Sequence, residues 1–154
     1  MKKIIVLLIC IGSGAFLFGQ TAEDFIINDR ELDDDGDVSI QNNITGIEDG
    51  AFSGNKNLVV VNIPVGVTRI GAEAFRGCEG LVAVTMEKDL IIIEEYAFAS
   101  CKSLAVIAIP ESVTYIGTGA FSGCTALKVV SMSRKTRLGL DVFRGAPVNI
   151  LYID

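Results

Sequence analysis

The chain has 154 residues, half of them apolar and 21% charged, with a formal net charge of −6. That suits one domain and is too short for two ordinary ones. With no histidine, the chain cannot run Ser-His-Asp or Cys-His catalysis, bind zinc through His or use a His base; its acidic balance argues against nucleic acid, which selects a basic stripe.

Residues 1–19 read as an address. Met1-Lys2-Lys3 is basic, residues 4–11 are an unbroken apolar run, and Gly19 is a small residue just before polarity begins at Gln20. Charge, apolar stretch and small residue in that order form a secretory signal peptide, with cleavage expected after Gly19. The alternative is an N-terminal membrane anchor, for which the stretch is short, since a span needs ~20 apolar residues. A lipidation signal has a small residue before its cysteine; Ile9 precedes Cys10, so Cys10 is not read as a lipid anchor. Removal of the leader would leave three of the four cysteines. Export would permit disulfides.

Residues 20–46 hold two short apolar runs, Phe25-Ile26-Ile27 and Val38-Ser39-Ile40, around a polar stretch. They are predicted to be short strands of an N-terminal β cap. Asp33-Asp34-Asp35-Gly36-Asp37 invites a calcium reading. An EF-hand loop with Gly36 as its sixth residue would start at Glu31 and end at Asn42. Such a loop requires Asp first and a bidentate Glu twelfth, so a solvated hairpin turn is expected instead.

From residue 47 to 154 the chain repeats. Phenylalanine recurs at Phe52, Phe75, Phe98, Phe121 and Phe143, in steps of 23, 23, 23 and 22. Ala51, Ala74, Ala97 and Ala120 precede it; Leu58, Leu81, Leu104 and Leu127 follow six places later. Cys78, Cys101 and Cys124 form a further column, and Ile47, Ile70, Ile93, Ile116 and Leu138 open the units. Five columns in register over about a hundred residues define a solenoid of about five coils. Each unit is predicted to contain a short β run, a single helical turn closed by glycine, and an apolar strand.

Those strands are placed at 58–63, 81–86, 104–109, 127–132 and 148–153. Alternation puts their fourth and sixth residues inside: Val61/Ile63, Val84/Met86, Ile107/Ile109, Val130/Met132 and Leu151/Ile153. The five Phe form the structural core. The cysteines lie one coil apart, unlike the close pairs of a zinc site. Stacked side chains point in parallel, so buried free thiols are expected over a disulfide. No phosphate loop, nucleophile elbow or placed carboxylate pair appears, so no catalytic, cofactor or metal site is expected.

The unit VTYIGTGAFSGCTALKVVSM resembles the BspA-like, treponemal-type leucine-rich repeat, over residues 47–153. Pro64 and Pro110 match that family's proline; Glu87 and Ser133 depart from it, and Ser100 replaces the Gly before Cys101. The resemblance implies an α/β repeat fold: a right-handed leucine-rich-repeat solenoid with a parallel concave sheet and short helical turns. It implies an exported bacterial protein of the periplasm or cell surface that binds proteins, often host matrix proteins or other cells. A self-associating structural component of the envelope is the second expectation, and an enzyme is not expected.

If the fourth and sixth strand residues point in, the third and fifth point out. These columns read Val60, Ala83, Val106, Val129, Ile150 and Asn62, Thr85, Ala108, Ser131, Tyr152. Neither holds a charge. β-propensity on a crowded concave face is one explanation, an apolar patch kept for a partner the other. Charge is uneven along the chain. Residues 20–50 hold ten acids and one base, and residues 128–144 hold five bases and one acid. With Asp154 directly after the last strand, that strand's edge is expected to be open to pairing, giving a homodimer through the C-terminal coil.

Overall fold

The computed structural model describes residues 4–6 and 45–154. The rest of the leader, the proposed cap up to residue 44, Cys10 and the Asp33–Asp37 run lie outside the described residues. Residues 45–154 wind into a parallel-strand solenoid of about five coils.

One side is built from two-residue strands: β2 (Gly46–Ile47), β4 (Arg69–Ile70), β6 (Ile92–Ile93), β8 (Tyr115–Ile116) and β10 (Arg137–Leu138). They form one parallel sheet in the order β10-β8-β6-β4-β2. The aliphatic column is in register, Ile47 with Ile70, Ile70 with Ile93, Ile93 with Ile116, and Ile116 with Leu138. A fixed period does this directly, because equal chain length per coil returns the same residue to the same place.

A second side carries the longer strands: β3 (Leu58–Ile63), β5 (Ala83–Met86), β7 (Val106–Ala108), β9 (Val129–Met132) and β11 (Asn149–Tyr152). β3 pairs with β5, and β7, β9 and β11 form a separate ladder; β5 and β7 pack side by side without sharing one. The remaining strand, β1 (Ile4–Val6), pairs in parallel with β3, setting Ile5 against Val60 and Val6 against Val61.

The third side differs from the single helical turn expected of each unit. No helix occurs among the described residues. Alternate amides close the turn on itself or reach the next coil. In the first coil Ser53 N donates to Gly50 O and Asn55 N to Phe52 O, while Phe52 N donates to Ala74 O and Gly54 N to Arg76 O. Each coil also holds two left-handed residues four apart, such as Tyr96 (φ 54°) and Ser100 (φ 61°). A right-handed helix does not accommodate such residues. Here they turn backbone donors outward, and the coils are stitched together on this side as well.

Inside, the rings of Phe52, Phe75, Phe98, Phe121 and Phe143 stack with centroids 5.4, 4.9, 5.3 and 5.6 Å apart, their planes within 14°. Four of the five are buried and Phe143 is half-buried. The Leu column from Leu58 to Leu127 is fully buried, as are Ala74, Ala97 and Ala120. Burying such a side chain contributes ~1.5–3 kcal/mol, which no 23-residue unit could gather without its neighbours.

The last coil departs from the expected alternation. β11 pairs Ile150 with Val130 and Tyr152 with Met132, so these two continue the inward column. Ile150 packs against the core, whereas Leu151, Tyr152 and Ile153 are exposed. Paired positions fall eight residues after Phe121 but six after Phe143, so this turn is two residues shorter, where the placement of the last strand at 148–153 allowed for one. Leu138, in the column of fully buried isoleucines, is 43% exposed because no described coil covers it.

Candidate interaction surface

Eight of the ten residues expected on the outward columns lie there. Val60 pairs with Ala83, Asn62 with Thr85, Val106 with Val129, and Ala108 with Ser131. The fifth coil supplies Asn149 and Leu151 to these columns in place of Ile150 and Tyr152. Asn149 was the available signal: a polar residue inside an apolar run belongs on the wet side of a strand.

No charged residue stands in either column. Val106 is 56% exposed; Asn62, Thr85 and Ala108 are exposed, and Val60, Ala83, Val129 and Ser131 are half-buried. Thr85 Oγ1 donates to Asn62 Oδ1 at 2.6 Å, so the polar members of the first two coils are tied together. Val82, one place before Ala83, is half exposed. Five strands ~4.8 Å apart and about four residues long give a face of only ~300 Å².

On the short-strand side the chemistry is ionic. Arg69 Nε and Nη2 donate to the two carboxylate oxygens of Glu94 at 2.7 and 2.8 Å, and Nη2 also donates to Asp49 Oδ1 at 2.7 Å. One guanidinium thus clamps three successive coils. Glu94 above all, with Asp49, raises the Arg69 pKa against the opposing effect of its partial burial. Beyond the clamp, Ile92, Glu94, Glu95 and Tyr115 line an open groove of about 380 Å³.

The three described cysteines are free and buried. Each thiol donates to a Phe carbonyl of the preceding coil: Cys78 to Phe52 at 3.0 Å, Cys101 to Phe75 at 3.2 Å and Cys124 to Phe98 at 3.1 Å. Burial pushes the Cys78 and Cys124 thiols up to about 11, and the central Cys101 also upward. Such thiols pack and bond; they are not nucleophiles. Among the described residues no group of His, Cys, Asp or Glu could hold a metal ion, and no helix is long and apolar enough to cross a membrane.

Near the C-terminal end, the Asp154 carboxylate accepts from Ser133 Oγ at 2.6 Å and Arg134 N at 2.8 Å, and these bonds lower its pKa. The Arg134 guanidinium lies 4.3 Å from the Tyr152 ring centroid.

Comparison with known proteins matches this geometry. The BspA type Leucine rich repeat region matches residues 36–149 in six copies, beginning inside the segment read as a cap. No curated protein matches the chain. A leucine-rich repeat protein of T. pallidum is similar in structure at a TM-score of 0.67 and 34% identity, over 70% of this chain and 51% of that one. A leucine rich cell surface protein of Faecalibacterium prausnitzii gives 0.56 at 38% identity, over 61% of this chain and 24% of that one. The pneumococcal vaccine antigen PcpA shares the fold alone, with 19% identity and a TM-score of 0.61 over 72% of this chain and 29% of that one. The chain therefore spans about half or less of each of these three. Ladder, turn and repeat length converge on one conclusion: the chain belongs to the BspA-type leucine-rich repeat family.

Proposed function

We propose that this chain is a non-enzymatic protein-binding module, exported to the bacterial cell envelope, where it mediates adhesion or protein–protein contact through its long-strand face. The observation that carries this reading is the charge-free pair of outward columns, with Val106 more than half exposed on it. Solvent-facing strand positions ordinarily accept charge, and an uncharged strip with Val106 exposed fits a surface kept for a partner. Similarity to a leucine rich cell surface protein supports the location. A face of ~300 Å² is below the ~800 Å² per partner of a standard interface. Binding through it is therefore weak unless neighbouring loops or several copies take part.

The test is surface-plasmon resonance against a panel of matrix proteins, comparing the chain with its Val106→Lys, Val129→Lys variant. The variant should keep its circular dichroism and lose binding. Unchanged binding by a folded variant would exclude this face.

A second reading is a structural component that self-associates through its C-terminal coil. It is favoured by Leu140, which is 77% exposed on an outward column that carries Asp49 and Glu95 in earlier coils.

A further inference from the structure

On the short strands the outward column reads Gly46, Arg69, Ile92, Tyr115 and Arg137. Arg69 is held by Asp49 in the coil before it, 20 residues back, and by Glu94 in the coil after it. Glu95 shares the column of Asp49 and precedes Tyr115 by the same interval. Two coils beyond Arg69, therefore, the acid recurs and the arginine does not. Tyr115 stands in the arginine's place, and Gly139, without a side chain, stands where Glu94 would.

What remains is the open groove of about 380 Å³ lined by Ile92, Glu94, Glu95 and Tyr115. Both carboxylate oxygens of Glu94 are taken by Arg69. The Glu95 carboxylate is exposed and has no hydrogen-bond or ion-pair partner among the described residues. Arg137, also exposed, follows Tyr115 in the column and so lies on the side away from Glu95. An aromatic ring, an aliphatic wall and a free carboxylate together select a flat cation on an alkyl stem. The chain builds that combination itself on its turn side, where the Arg76 guanidinium lies 5.9 Å from the Tyr96 ring centroid and pairs with Glu73 at 3.0 Å.

We propose that the groove between Ile92 and Tyr115 docks an arginine side chain of a partner protein. Its guanidinium meets the Glu95 carboxylate and the Tyr115 ring, and its methylenes lie along Ile92. The occupant is carried on a polypeptide, because a small molecule is ordinarily buried over ~70–90% of its surface and this groove is open. The contact lies on a different side of the coil from the long-strand face and does not depend on it. One exposed charge pair is weak and screened by salt, so it adds specificity to a partner that is also held elsewhere.

The experiment is an NMR titration of the isotope-labelled full chain at low salt with the capped peptide Gly-Gly-Arg-Gly-Gly, and with the same peptide carrying Lys or Gln at its centre. The arginine peptide should shift the amides of Glu95, Tyr115 and Gly117 saturably, the lysine peptide less, and the glutamine peptide not at all. Glu95→Gln should weaken binding roughly tenfold, and Arg137→Gln should tighten it. Val106→Lys, on the long-strand face, should leave it unchanged. Thermal melts establish that each variant is folded. No shift at these amides in low salt, or unchanged affinity in folded Glu95→Gln, overturns the proposal. Equal binding of the lysine and arginine peptides overturns the guanidinium as the group recognised, and free arginine binding as tightly as the peptide overturns a protein occupant.

Discussion

Truncation of Phe98 tests the whole ladder at its centre. Its ring is fully buried, 4.9 Å from Phe75 at 6° and 5.3 Å from Phe121 at 2°. Phe98→Ala removes two stacking partners at once and leaves a cavity that neighbouring coils cannot close. Their spacing is held by backbone bonds on both sides, among them Phe98 N to Ala120 O at 2.8 Å and Phe75 N to Ala97 O at 2.7 Å. Buried Phe→Ala changes cost ~3–5 kcal/mol. Two aromatic contacts at ~0.5–1.5 kcal/mol each place this site toward the upper end. A domain of this size has ~5–15 kcal/mol in total. Urea unfolding followed by circular dichroism should therefore show the loss of about half the stability. In heat, a loss of ~4 kcal/mol lowers the midpoint by roughly 10–20 °C. Phe143→Ala is the internal control, because Phe143 is half-buried with one stacking partner. It should cost clearly less. Equal losses at the two positions, or an unchanged midpoint for Phe98→Ala, would refute the ladder as the source of stability.

Two further expectations concern thiols and turns. Cys78 and Cys124, pushed up to about 11 by burial, should resist a bulky thiol reagent at neutral pH and label fully on denaturation. Because the unfolded thiols ionise near 9, their contribution to stability is whole below that pH and is lost as pH rises toward 11; a urea midpoint that stays level across that window would contradict the burial. Ser100 holds φ 61° where the other coils have glycine, so Ser100→Gly should raise stability by up to ~1 kcal/mol in the same unfolding assay. Gly119→Ala should do the reverse, since its φ is 62° and a Cβ would sit 2.4 Å from the Tyr96 ring; a neutral result there would mean the ring is free to move.

The repeat was legible in the sequence because its period is uninterrupted from residue 47 to 132. Equal coil lengths stack like on like, so the columns of Phe, Leu, Ala and Cys are also columns in space. Ordering inside the coil followed wherever polar and apolar residues alternate, as in Val61-Asn62-Ile63. The last coil did not yield to that logic. Residues 148–153 are apolar at five of six positions, so alternation carries no phase there, and a shortened turn makes the count ambiguous by one. Backbone pairing with β9 alone decides that Ile150 turns in and Leu151 out. The turn conformation was hidden for a different reason. Three of the five first left-handed positions are Glu73, Tyr96 and Asp141, which look ordinary in a helix. What holds them there is the hydrogen bond each of Glu73 and Tyr96 makes to the next coil, Glu73 N to Glu95 O and Tyr96 N to Thr118 O. Such bonds exist only once the coils are stacked. Sequence period thus determined which residues share a column, and tertiary hydrogen bonding decided which way each local segment turns.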